Sequence, residues 1–93
     1  MALETTVFTF RISVPFPDWA KGFDRSEVAA IHEANSIKPL YRGVSKDDPE
    51  SVVVIHQAEE GIAKAFFEAT REAVEATGHI YDSTVITSYL AGS

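Results

Sequence analysis

An α+β fold is predicted for this chain by three features of its 93 residues. Large apolar residues alternate with polar ones in short runs, the period of a strand with one buried face. Two longer stretches repeat their apolar residues at helical spacings. The two kinds of stretch follow one another as strand, helix, strand, strand, helix, strand. The length suits one domain over 1–93, with 91–93 expected as a mobile tail.

The first strand is expected from Thr5 to Ser13, where Phe8, Phe10 and Ile12 alternate with Thr9 and Arg11. Val14-Pro15-Phe16-Pro17 stops it, because proline has no amide hydrogen for a sheet ladder. Pro17 suits the first turn of a helix. Phe16, Trp19, Ala20 and Phe23 then share one helical face. A break is expected near Asp24, since Asp24 and Glu27 have capping-box spacing, and Val28, Ile31 and Ala34 continue the stripe to Asn35 and Ser36.

A hairpin follows. Its strands are expected at Ile37–Lys46, with Leu40, Arg42 and Val44 opposed to Tyr41 and Gly43, and at Ser51–Ala58, with the β-branched run Val52-Val53-Val54-Ile55. Lys46-Asp47-Asp48-Pro49-Glu50 has the chemistry of a turn. The second helix is expected over Glu59–Thr77, with Ile62, Phe66, Phe67, Thr70, Ala73 and Val74 inward and two acids at its start. Gly78 ends it, and His79–Leu90 is the last strand.

Right-handed crossovers and short hairpins leave few topologies for that order. The expected one is a ferredoxin-like βαββαβ sandwich: four antiparallel strands in spatial order 4-1-3-2 with both helices on one face. Two helices cover only one face, yet Val52 and Val54 oppose Val53 and Ile55, and Tyr81, Val85 and Tyr89 oppose Ile80 and Ile86. A solvated sheet face would read as clean alternation. A second copy is therefore expected on the open face, as a two-fold homodimer.

The stretches Leu40-Tyr41-Arg42-Gly43-Val44-Ser45-Lys46-Asp47-Asp48-Pro49, Val54-Ile55-His56-Gln57-Ala58 and Gly78-His79-Ile80-Tyr81-Asp82-Ser83-Thr84 resemble an uncharacterised family of short bacterial proteins. The resemblance covers nearly the whole chain. It implies the dimeric α+β-barrel superfamily, in which two ferredoxin-like units pack their sheets face to face. Relatives there include antibiotic-biosynthesis monooxygenases, muconolactone isomerases and stress-responsive barrel proteins. The family has no assigned activity, so the resemblance carries no catalytic residue to this chain.

Composition narrows the function classes. With no cysteine there is no disulfide scaffold, and no apolar run approaches the ~20 residues that span a bilayer. No signal peptide is readable at the N-terminus, so a cytoplasmic protein is expected. A net charge of −6 argues against nucleic acid. So does the third strand, which lacks the aromatic and basic side chains of an RNA-recognition module. No phosphate-cradling glycine loop or nucleophile elbow is present, and His32, His56 and His79 lack metal-ligand spacing, so neither cofactor nor metal is expected.

The remaining candidates are few. His56 follows a buried run and is expected either as a sheet histidine satisfied by a neighbouring polar group or as a side chain pointing into a pocket or the dimer barrel; His32, beside Glu33, reads as solvated surface. Asp82 shares a parity with Ile80, Thr84 and Ile86, which gives a base with a raised pKa, or else a strand bulge or an acid paired with Arg11 or Arg42. Trp19, Phe16 and Phe23 read as core packing, with the lining of a ligand pocket between helix and sheet as the alternative. Two functions follow. One is a homodimeric, non-catalytic module for a small apolar ligand or a protein. The alternative is a small cofactor-free enzyme, monooxygenase- or isomerase-like, on an apolar organic substrate. His56 or Asp82 would be its proton acceptor, and Tyr41, His79 and Tyr81 would bind the substrate.

Overall fold

Each alternating stretch becomes a strand in the computed structural model, which describes residues 2–90; the expected tail at 91–93 lies outside the described residues. The strands are β1 (Leu3–Ile12), β2 (Lys38–Val44), β3 (Ser51–Glu59) and β4 (His79–Leu90). Four helical segments, α1 (Phe16–Phe23), α2 (Ser26–Ala34), α3 (Ile62–Ala69) and α4 (Arg71–Ala76), replace the two expected helices. The sheet is antiparallel with order β2-β3-β1-β4, which is 4-1-3-2 read from the other edge.

Phe8 pairs with Val54 on β3 and with Ile86 on β4, so these side chains share the helix-covered face. On that face Phe8, Phe10, Ile12, Val52 and Val54 pack with Trp19, Ala20, Ala63 and Phe67 into one core. Burying each of the large side chains contributes about 1.5–3 kcal/mol, which is why the alternation decides the register.

The first helix breaks where expected, but for another reason. Asp24 ends α1, and its carboxylate is taken by Arg42 on β2 rather than by the next helix. Arg25 stands at the N-cap of α2, with no side-chain cap bond, and pairs with Glu27. The second helix starts later than expected, because β3 stays paired with β1 up to Leu3↔Glu59. Glu59 and Glu60 are therefore not helical acids. Gly61, at φ 84°, turns the chain into α3, and the buried carboxylate of Glu4 accepts from its N–H at 3.1 Å. At Thr70 the helix breaks again, where the hydroxyl donates to the Phe66 carbonyl at 2.8 Å; such back-bonding bends helices. Gly78, at φ 95°, ends α4 as expected.

On β4 the register shifts opposite Thr9–Arg11. There the Arg11 N–H donates to the Ser83 hydroxyl at 2.8 Å, and that hydroxyl donates to the Ile80 carbonyl. This bulge reverses the parity partway along the strand. His79 pairs with Ile12 and Ile86 with Phe8, both on the helix face, while Ile80 and Val85 pair with Arg11 and Thr9 on the open face. Tyr81, expected to side with Val85 and Tyr89, instead stacks on Phe67 of α3 at 4.8 Å.

Candidate functional site

The helices do not fill the space above the sheet. A cavity of about 160 Å³ remains between them, floored by Phe8, Phe10 and Val54 and walled by Trp19, Phe23, Phe66, Phe67 and aliphatic residues of α2 and α4. Aromatic rings are wide and rigid, so short helical segments broken at Asp24 and Thr70 pack them around a gap. Among the described residues no carboxylate, ammonium or guanidinium lines it.

Three histidines do, one from each of α2, β3 and β4. His56 sits opposite Thr6 in the sheet register, among Phe8, Phe23 and His32. The His32 and His56 rings meet edge to face, with centroids 4.8 Å apart. His79 lies flat on Phe10 at 3.6 Å, with Nε2 2.6 Å from the Thr84 hydroxyl. All three are buried, His32 at 6% and His56 at 7% exposure.

Burial makes them poor bases. Desolvation pushes His56 down to about 4, helped by the charge His32 would carry, and desolvation alone takes His79 to about 4. His32 is lowered too, by desolvation against a partly opposing bond to the Val28 backbone. At neutral pH His56 and His79 are therefore uncharged. Nε2 of His56 is buried without a hydrogen-bond partner among the described residues. The Thr70 and Thr77 hydroxyls on the wall donate to the carbonyls of Phe66 and Val74.

The structure brings together two of the residues singled out from sequence, His56 and His79, and adds His32. His32 is not solvated surface: it lies four residues after Val28, on the apolar stripe of α2, and that spacing was its signal. Trp19 and Phe23 belong to the core and to the cavity wall at once. Tyr81 stands outside the cavity, stacked on Phe67 with the Arg71 guanidinium 4.3 Å over its other side. Tyr41 projects from the opposite face of the sheet, paired with Ile55 and folded over Gly43. Asp82 is neither buried nor paired with Arg11 or Arg42. Its side chain is 90% exposed and 3.6 Å from Arg71, while Arg11 holds Asp48 and Glu50 and Arg42 holds Asp24. The bulge removes it from the parity that pointed it inward. Among the described residues no group of three or more His, Cys, Asp and Glu is placed to hold a metal ion.

Among the described residues no helix lies on the opposite face of the sheet. Val7, Val53 and Ile55 are half-buried there, and Tyr41, Val85 and Tyr89 are more than half exposed. No helix is long and apolar enough to cross a membrane among the described residues.

A family model described as a domain of unknown function (DUF3764) matches residues 3–91. No curated protein matches the chain. Among solved structures the fold is similar to that of SnoaB, a cofactor-independent oxygenase from Streptomyces nogalater, with a TM-score of 0.55 at 14% identity. The match covers 100% of this chain and 94% of that one.

Proposed function

This chain belongs to the DUF3764 family, named for a domain of unknown function, and from that premise we propose a homodimeric, non-catalytic module that holds a small apolar ligand between its helices and its sheet. The uncharged aromatic cavity carries this reading, because such a space gains by filling and has only neutral polar groups to offer. The dimer is proposed through the open face of the sheet, in the manner of the dimeric α+β barrels. Val7, Val53, Ile55, Tyr41, Val85 and Tyr89 form one apolar surface across four strands, and a two-fold copy would cover it with the same residues.

The enzymatic reading has two supports: the printed description of SnoaB and the location of His56. The basicity of His56 weighs against it. A pKa of about 4 against an ordinary 6.5 means that protonating this ring costs about 3 kcal/mol more than in water. Asp82, the other proton acceptor considered, is exposed and outside the cavity. A hydrogen-bonding role needs no such proton.

Native mass spectrometry tests the assembly: a mass of twice 10.2 kDa is expected, and a monomer sinks the dimer. Toluene tests the cavity. At ten times its Kd it stabilises the folded state by about 1.4 kcal/mol, which raises Tm by roughly 7 °C in a domain of this size. No change in Tm or in Trp19 emission at saturating toluene would end the binding reading.

A further inference from the structure

Resting on the cavity reading above, we infer that α2 is the gate of the cavity, a strap fixed at both ends that swings outward to let the ligand pass. This helix has space on both sides. Val28, Ile31 and His32 of α2 form part of the cavity wall, and Ile31 is 48% exposed although it lines the cavity. Behind α2 lies a cleft that Ala29 and Glu33 line together with Lys38 and Pro39 of β2. A helix between two gaps lacks the close packing that resists motion.

The middle of α2 is lightly held. Into the core α1 sends Trp19 and Ala20, and α3 sends Ala63 and Phe67, while Val74 of α4 packs against it; among the described residues α2 contributes nothing. The buried residue of α2 is His32. Its ring rests among Phe23, His56 and Phe66, with centroids 5.8, 4.8 and 5.7 Å away. Its polar bond goes to the Val28 backbone, within its own helix, and so ties α2 to nothing else. Among the described residues no side-chain hydrogen bond or ion pair joins α2 to another element. A helix of nine residues is not stable alone, so one anchoring ring leaves α2 at the low end of local stability.

The two ends are held better. Before α2, the Asp24 carboxylate accepts from the Arg42 guanidinium on β2. After it, Ile37 is buried at the start of β2. The joints lie just inside these anchors. Arg25 supplies no side-chain cap, and Ser36 sits at φ 57°, in the left-handed region that few residues with a Cβ adopt. Turning at Arg25 and Ser36 therefore swings α2 about the line from Asp24 to Ile37 and carries His32 out of the wall. The cavity widens where it already meets solvent, beside Ile31.

Hydrogen exchange of the wild-type protein reads the opening. Amides of residues 30–34 in α2 are expected to exchange about a hundredfold faster than those of β1 and β3, at a rate that about 0.5 M urea leaves unchanged, because little surface is exposed. Exchange as slow and as urea-dependent as that of β1 overturns the opening. Passage is read from Trp19, the one tryptophan of the chain and part of the wall, as toluene is mixed with the protein in stopped flow. The chain has no cysteine, so Ala29→Cys with Pro39→Cys places two thiols on exposed positions across the cleft, outside the cavity, for a short bis-maleimide. Crosslinking is expected to slow toluene association about tenfold relative to the same variant unlinked, with Kd held within about twofold. An unchanged association rate overturns the gate and leaves the cavity reading intact. No toluene signal in the wild type is a failure of the cavity reading, and the gate falls with it. Should the double variant not fold, exchange of the wild type in toluene at ten times its Kd decides: the α2 amides slow about tenfold, or the gate is refuted.

Discussion

Lowering the pH from 7 towards 4 should unfold this protein through its histidines, before its surface carboxylates are protonated. The unfolded chain binds protons at His56 and His79 with ordinary pKa values near 6.5, whereas the folded chain binds them only near 4. Between those values the unfolded state carries more protons, so stability falls as pH falls, and the loss levels off below about 4. For His56 the shift of 6.5 to about 4 corresponds to about 3 kcal/mol. His79, near the end of the sheet, is assigned about 2 kcal/mol after allowance for solvent screening. His32 acts in the same direction. Among the described residues no carboxylate lines the cavity to offset these losses. The sum, about 5 kcal/mol, is comparable to the whole stability of a domain this size, roughly 5–14 kcal/mol. Asp24, Glu27 and Asp48, whose arginine partners hold them below the usual carboxylate range (with backbone bonding the larger cause for Glu27), act only at lower pH. Urea unfolding at pH 8, 7, 6, 5 and 4.5 is the assay. A steep decline between pH 6.5 and 4.5 is expected, with the native baseline unchanged. Stability constant within 1 kcal/mol over that range would refute the burial of neutral histidines around the cavity.

Three further outcomes are expected. His56→Leu should raise stability by about 1 kcal/mol, because it removes a desolvated nitrogen without a partner, less what the ring contacts with Phe8 and His32 contributed; a lower Tm in thermal melts would show that Nε2 has a partner after all. Gly78→Ala should cost about 1–3 kcal/mol, since the residue sits at φ 95° and a Cβ would lie 2.7 Å from the Val14 side chain. Chemical denaturation checks it, and a neutral result would mean the turn relaxes freely. Ile55→Asp, on the open face, should leave a folded monomer in light scattering, because it puts an unpaired charge at the centre of the proposed dimer interface; a persistent dimer would place the interface elsewhere.

Much of the fold was legible because its signals are local. Phe8, Phe10 and Ile12 alternate whatever they pair with, the chain must stop at Pro15 and Pro17, and Gly78 is free to turn at positive φ. Element order then leaves one economical topology. The site was legible only in part. His56 announced itself by following Val52–Ile55, but His32 read as surface, although its spacing from Val28 placed it on the apolar stripe. Asp82 and Tyr81 were assigned faces by counting in twos along β4, and counting in twos fails across a bulge.

What the sequence by itself determined is which side chains are apolar, where the chain turns, and the order of its strands and helices. Tertiary structure decided the rest. The bulge on β4 depends on a bond between Arg11 and Ser83, on strands from opposite ends of the chain. The start of α3 depends on the carboxylate of Glu4 reaching Gly61. The cavity lining depends on the β1–β3 and β1–β4 registers and the packing of α2, which turn three histidines from separate elements towards one space. Burial, and with it the lowered pKa of each ring, belongs to what surrounds a residue in space. No period along the chain encodes it.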